Sequence, residues 1–288
     1  HMPGPWFFEQ QETFGWLRSA LGGFNNTCGM LHIGNPETAD VSHYNFPARA
    51  SEQYGVHDRA AMLPGTLLSY GSEWEGDRCV IRASGRTHQY QAYGENLELT
   101  RTYEAILGES RFFMHDEIVN RGFLPTSHMY LYHINTGFPF VNDGSRFVAP
   151  VNGPPEVLFG NVKNDDEYSF FTAPQKNWVQ QTFQHDLRPD SDGKVTVAIV
   201  TEDHYALYVT FVKEQFPNYI EWRMMGQGQY AVGIEPCTNG FGRDQERRSG
   251  RLQMLEPGER RTYQLEVGVV EGEANVAKLE SRIMAAAK

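Results

Sequence analysis

Cysteine is scarce in this chain and is not arranged for any common cysteine device. Cys28, Cys79 and Cys237 are three among 288 residues. Their number is odd, they lie far apart, and no C-x-x-C pair occurs. A disulfide framework, a zinc knuckle and a thioredoxin motif are therefore not expected. The same usage favours a reducing compartment, and a cytoplasmic location is expected. No apolar run approaches the ~20 residues of a membrane-spanning helix, and no secretory signal is recognisable, so no membrane partner is expected. Positive charge is also short: 25 Lys and Arg stand against 36 Asp and Glu, a formal net charge of −11. That balance disfavours general binding of nucleic acid or anionic lipid, although a local basic pocket for an acidic small molecule stays open. Internal repeats and low-complexity segments are absent. No composition break marks a second domain, so a single domain over residues 3–288 is expected, with His1 and Met2 set aside as a cloning scar.

What the chain does have is aromatics and turn-formers: 14 Tyr, 18 Phe and 5 Trp, with 28 Gly and 15 Pro. Short β-branched and aromatic runs bounded by Gly, Asn, Asp or Glu follow one another over residues 66–134 and 194–270. Turn signals every ~8–12 residues predict an all-β protein, an antiparallel sandwich or barrel rather than βαβ units. Helical spacing is confined to the ends, at Gln10 to Leu21 and at Asn275 to Ala287. Residues 25–64 read as short strands among loops, and 142–190 as long polar excursions carrying short strands.

Three polar residues stand out at strand ends: His57 in YGVHDRAAMLPG, His133 in MYLYHINTGFPF and Glu235 in QYAVGIEPCTNG. Only folding could bring them together. Alternation places His133 with Asn135 on one strand face, and Glu235 with the small residues Ala231 and Gly233 on another. Small neighbours beside an acid leave the space a ligand pocket needs. Arg101 shares a face with Leu97, Leu99 and Tyr103, where a charge must find a partner or a ligand. Each of these residues also has a structural reading, as a satisfied core histidine, a turn acceptor or half of an ion pair. Apart from His1, the other seven histidines, His185 among them, and Cys237 are read as structural.

The ordered set VHDRAAMLP, DEIVNRG, YHINTGFP and IEP resembles the aldose 1-epimerase (galactose mutarotase) superfamily, in its poorly characterised aldose 1-epimerase-like branch. The pattern covers roughly residues 25–270. It departs from the family at Asp58, where a glycine is usual. The resemblance implies a galactose-mutarotase-like β-sandwich with short terminal helices, whose active site lies on a concave sheet face. It implies an isomerase that needs no cofactor and no metal and acts on a small-molecule sugar, with a homodimer left open. In mutarotation a base takes the anomeric hydroxyl proton while an acid protonates the ring oxygen. The C1–O5 bond breaks, C1 rotates, and reclosure gives the other anomer. Transferred residue by residue, Glu235 is the base, His133 the acid, and His57 holds the sugar near its ring oxygen. Arg59, Arg101 and Asn135 are candidates for binding sugar hydroxyls or an acidic group, and Trp222 for stacking on a sugar face.

Other classes remain open at this point. Two histidines and a carboxylate on a β scaffold also describe a facial-triad metal site, hence a metal-dependent isomerase or oxygenase. An acid–base pair could instead act on a keto-sugar through an enediol, by epimerisation or elimination. A silent sugar-binding protein could use the same fold. The acidity of the sugar turns on two side chains. If Arg59 or Arg101 points into the pocket without a protein carboxylate, an acidic sugar is expected; if both are paired to Asp or Glu, a neutral one.

Overall fold

The computed structural model describes residues 13–19, 23–164 and 166–287. About half of the chain is strand and about a tenth helix. In chain order the strands are β1 (Asn25–Met30), β2 (Glu37–Asp40), β3 (Ser51–Tyr54), β4 (Gly65–Glu75), β5 (Arg78–Tyr90), β6 (Asn96–Ile106), β7 (Arg111–Asn120) and β8 (Thr126–Thr136). Then come β9 (Arg146–Val148), β10 (Glu156–Phe159), β11 (Gln181–His185), β12 (Lys194–Val200), β13 (Tyr205–Val212), β14 (Asn218–Gly226), β15 (Gln229–Cys237), β16 (Gln253–Leu255) and β17 (Arg260–Glu271). The helices are α1 (Trp16–Ser19), α2 (Arg243–Arg248) and α3 (Glu273–Ala286). Part of the helix expected over Gln10 to Leu21 lies outside the described residues; within them only α1 is helical.

Two compact units share the chain. The first comprises His1–Glu104, Met114–Tyr132 and Cys237–Tyr263, and the second Ala105–Phe113, His133–Pro236 and Gln264–Lys288. In the first unit the strand order β4-β5-β6-β7 forms one layer, β1 neighbours β8, β16 pairs with β8, and β2 pairs with β3. β5 runs unbroken through Gly85, where the sequence pattern suggests two strands. A bulge between Leu67 and Ser69 on β4 lies opposite that glycine and absorbs the irregularity. Helix α2 has no apolar periodicity to announce it in the sequence. The Glu37 carboxylate of β2 accepts hydrogen bonds from the first amides of α2, Arg243 N at 2.8 Å and Asp244 N at 2.6 Å. A distant carboxylate thus satisfies amide groups that the helix itself cannot.

The second unit holds the orders β15-β14-β11-β10 and β17-β13-β12-β9. β12 and β13 pair antiparallel, Val195 opposite Phe211 and Val197 opposite Val209. Both strands are apolar almost throughout, as a strand covered on both faces must be. The cover on one side is α3, whose Val276, Leu279 and Ile283 pack on Val148, Ala198, Val200, Ala206 and Tyr208. No helix among the described residues is long and apolar enough to cross a membrane.

Candidate active site

In the second unit β8, β15 and β14 each contribute one side chain to a single cluster. His133 Nε2 lies 3.1 Å from Glu235 Oε1, and both side chains are buried. The His133 and Trp222 rings sit 5.8 Å apart. Gly233 makes this packing feasible. A Cβ at that position would stand 2.3 Å from Glu235 Oε1 and 3.2 Å from His133 Cε1, so any side chain there would displace the carboxylate from this position. Asn135 extends the same face of β8, and its Nδ2 donates to the His133 carbonyl at 3.3 Å. The indole of Trp222 is half-buried and fixed by a hydrogen bond from Nε1 to Gln180 Oε1 at 2.8 Å.

Burial sets the electrostatics of the pair. It pushes the Glu235 carboxyl well above the usual carboxylate range. It lowers the His133 imidazole to about 4, against an opposing hydrogen bond with Asn135. Both shifts act in the same sense, favouring the uncharged carboxyl and the uncharged imidazole. Residue types alone suggest an ionised carboxylate beside a charged imidazole. That state has the same proton count and is reached by moving the proton across the 3.1 Å contact.

His57, Arg59 and Arg101 belong to the first unit. His57 is buried, its ring 5.0 Å from that of Trp16 and 5.9 Å from that of Phe241, and its Nδ1 accepts from Gly34 N at 3.3 Å. His57 and Asp58 have φ of 54° and 57°, a left-handed pair that costs of order 1–2 kcal/mol per residue outside glycine. This explains the departure at Asp58: the backbone keeps the conformation a glycine would supply. The Asp58 carboxylate secures it, accepting from Leu31 N at 3.0 Å and Gln89 Nε2 at 2.7 Å.

Neither arginine is an open cation. Arg59 pairs with Glu95 and donates to the Tyr90 carbonyl at 3.2 Å. Arg101 grips Asp116 with two parallel hydrogen bonds of 2.8 and 2.7 Å, and reaches Thr27 Oγ1 at 2.8 Å and the Tyr130 hydroxyl at 3.0 Å. Tyr130 and Tyr132 donate to the same carboxylate at 2.6 Å each. The condition set for an acidic clamp is not met. Nor is a facial-triad site found: among the described residues no three His, Cys, Asp or Glu side chains group as ligands for a metal ion.

A second histidine–carboxylate pair forms no motif in the sequence. His185 Nε2 lies 2.9 Å from Glu221 Oε2, both fully buried, and Arg223 Nε is 3.7 Å from Glu221 Oε1. Arg223 also donates to the carbonyls of Glu167 and Phe170. Glu221 and Arg223 alternate with Trp222 along β14, so they occupy the opposite face. Phe147, Tyr168, Phe183 and Tyr219 enclose the His185 ring. The one signal available is YIEWR, where two charges share a face with an apolar residue.

The sequence profile of a family described as a domain of unknown function (DUF4432) matches residues 1–269. The chain belongs to the DUF4432 family. Curated proteins include no match to this DUF4432 chain. Solved structures resemble it over most or all of its length. A provisionally assigned aldose 1-epimerase of Klebsiella pneumoniae is 23% identical, with a TM-score of 0.86 over 100% of this chain and 73% of its own. A galactose mutarotase-like protein of Clostridium acetobutylicum is 14% identical, with a TM-score of 0.59 over 86% of this chain and 79% of its own. A galactose 1-epimerase of Lactobacillus acidophilus is 13% identical, with a TM-score of 0.54 over 86% and 80%. At these identities the likeness shows the fold. The DUF4432 chain has the galactose-mutarotase-like fold, the antiparallel all-β class expected from its strand pattern.

Proposed function

We propose that this protein is a carbohydrate epimerase that interconverts sugar anomers by general acid–base catalysis. The observation that carries the reading is the buried His133–Glu235 contact of 3.1 Å. It lies beside an aromatic ring that can stack on a sugar, in a fold shared with proteins named as 1-epimerases. Mutarotation needs one proton removed from the anomeric oxygen and one delivered to the ring oxygen, with no net change. A pair holding a single proton supplies this. In the tautomer with Glu235 ionised and His133 protonated, Glu235 takes the O1 proton and His133 protonates O5 as the C1–O5 bond breaks. The open-chain aldehyde turns about C1, and the steps reverse on the other face. Asn135 orients the imidazole, and Trp222 packs against the sugar. The acid–base pair itself needs no metal and no cofactor. With both arginines engaged by carboxylates, a neutral sugar is the favoured substrate.

Saturation-transfer NMR of anomer exchange over a panel of aldoses tests the proposal. Glu235→Gln and His133→Asn should each lower the exchange rate by about 100- to 10,000-fold, with circular dichroism unchanged. Near wild-type exchange in Glu235→Gln would exclude the mechanism. Binding of sugars with no exchange of any would favour the silent binder instead.

A further inference from the structure

The first unit presents a face that its own strands leave open. Among the described residues β4 is an edge strand, and all eleven of its residues are exposed. Its register against β5 sets Leu67 opposite Gly85, Tyr70 opposite Ala83, and Trp74 opposite Cys79. Directly opposed residues share a sheet face, so large apolar side chains on β4 stand beside small ones on β5. Exposure reaches 64% at Leu67, 80% at Tyr70 and 67% at Trp74, with Ile81 and Tyr103 also exposed. Next to them lies a cavity of about 390 Å³, walled by Leu67, Ala83, Gly85, Leu99 and Tyr103. Both arginines that line it are engaged by carboxylates, Arg101 by Asp116 and Arg86 by Glu98. The cavity thus offers shape and apolar surface with little to orient a polar ligand, and suits an apolar side chain.

We infer that this face is the interface of a homodimer, with a second copy of the chain as the occupant. Three features select that partner. The first is area. Exposed aromatic side chains offer about 150–250 Å² each, which puts the exposed apolar cluster on the order of 500 Å² per copy. That is near the upper range of patches on monomers. With the polar rim and strand edge added, it approaches the ~800 Å² per partner of a stable interface. The second is self-complementarity. An isologous interface needs a protrusion and a recess on the same surface, and Tyr70 and Trp74 stand beside the cavity that would receive their counterparts. The third is the edge itself. β4 carries no Lys, Arg or Pro to discourage strand addition. Antiparallel pairing about Tyr70 sets Glu73 of one copy opposite Leu67 of the other, so like charges do not meet.

Sedimentation velocity from 0.1 to about 100 μM tests this on the full chain, an association range typical of modest interfaces. The wild type should sediment as a dimer at the upper end. Tyr70→Glu and Trp74→Glu should each weaken association at least about 100-fold, as loss of a central aromatic anchor does. Phe123→Glu, at a residue 95% exposed outside this face, should leave association unchanged and serves as the control. A wild type that stays monomeric throughout overturns the inference. So does a dimer whose mass survives both β4 substitutions.

Discussion

Asp58 couples stability to pH in a way that a surface carboxylate could not. Burial raises its carboxyl from 3.8 to about 6, against the hydrogen bond from Gln89. The folded chain keeps a proton there that the unfolded chain releases. Its stabilising contribution is therefore complete below about pH 3.8 and is lost as pH rises through about 6. A rise of that size corresponds to about 3 kcal/mol. Asp58→Asn keeps a residue tolerant of left-handed backbone and removes the titration. Thermal or denaturant unfolding should show wild type losing about that much stability relative to Asp58→Asn between about pH 4 and 7. The proposed acid–base pair has its own signature. With His133 lowered to about 4, the acid limb of kcat/KM for anomer exchange should fall near pH 4. A limb near about 6.5, the ordinary value for histidine, would show that the imidazole is not desolvated in the working enzyme.

At the level of elements, β15 and α3 make separable contributions. Gly233 on β15 has no room for a methyl group beside Glu235 Oε1. Gly233→Ala should push the carboxylate aside and reduce anomer exchange on the order of 100-fold, as a small misplacement of a catalytic group does. The His133→Asn change would then add little. Leu279 on α3 sits in the core of the second unit, far along the chain from any site residue. Leu279→Ala should cost about 2–5 kcal/mol in denaturant unfolding and leave the pH profile of exchange in place. These elements differ in how plainly the sequence announces them. β12 and α3 are legible because their apolar periodicity is uninterrupted. α2 is not, because its N-terminus is satisfied by Glu37, a residue more than 200 positions away. The left-handed turn at His57 is hidden for a related reason, since Asp58 takes the place of the expected glycine and is held by Leu31 and Gln89. On the candidate site, residue type and strand phase single out His133 and Glu235 beside structural alternatives, and Trp222 enters only with the family resemblance. They cannot reveal that burial raises the Glu235 carboxyl and lowers the His133 imidazole, or that Asp116 and Glu95 occupy the two arginines.

For the whole molecule, charge and substrate choice are linked. The chain carries −11 overall, and the two arginines that could have offset it locally are committed to Glu95 and Asp116. Anionic sugars are repelled without a compensating clamp. Glucose should therefore exchange anomers faster than glucuronate or glucose 6-phosphate, with little change in KM for glucose between low and high salt. A preference for the acidic sugars that weakens with salt would show a cationic site of another composition. The threading of the two units has a further consequence, for the order of events during synthesis. The first unit is opened by the long segment His133–Pro236 and is completed only by Cys237–Tyr263. The second in turn needs Gln264–Lys288. A nascent chain halted at residue 236 would already contain His57, His133 and Glu235, yet neither unit would have its last strands. The consecutive strands β4–β7 and β12–β13 can pair as they emerge, but each unit is completed only by its late segments. The long-range closure of each unit falls late in synthesis, with the slow pairing and chaperone exposure that this entails.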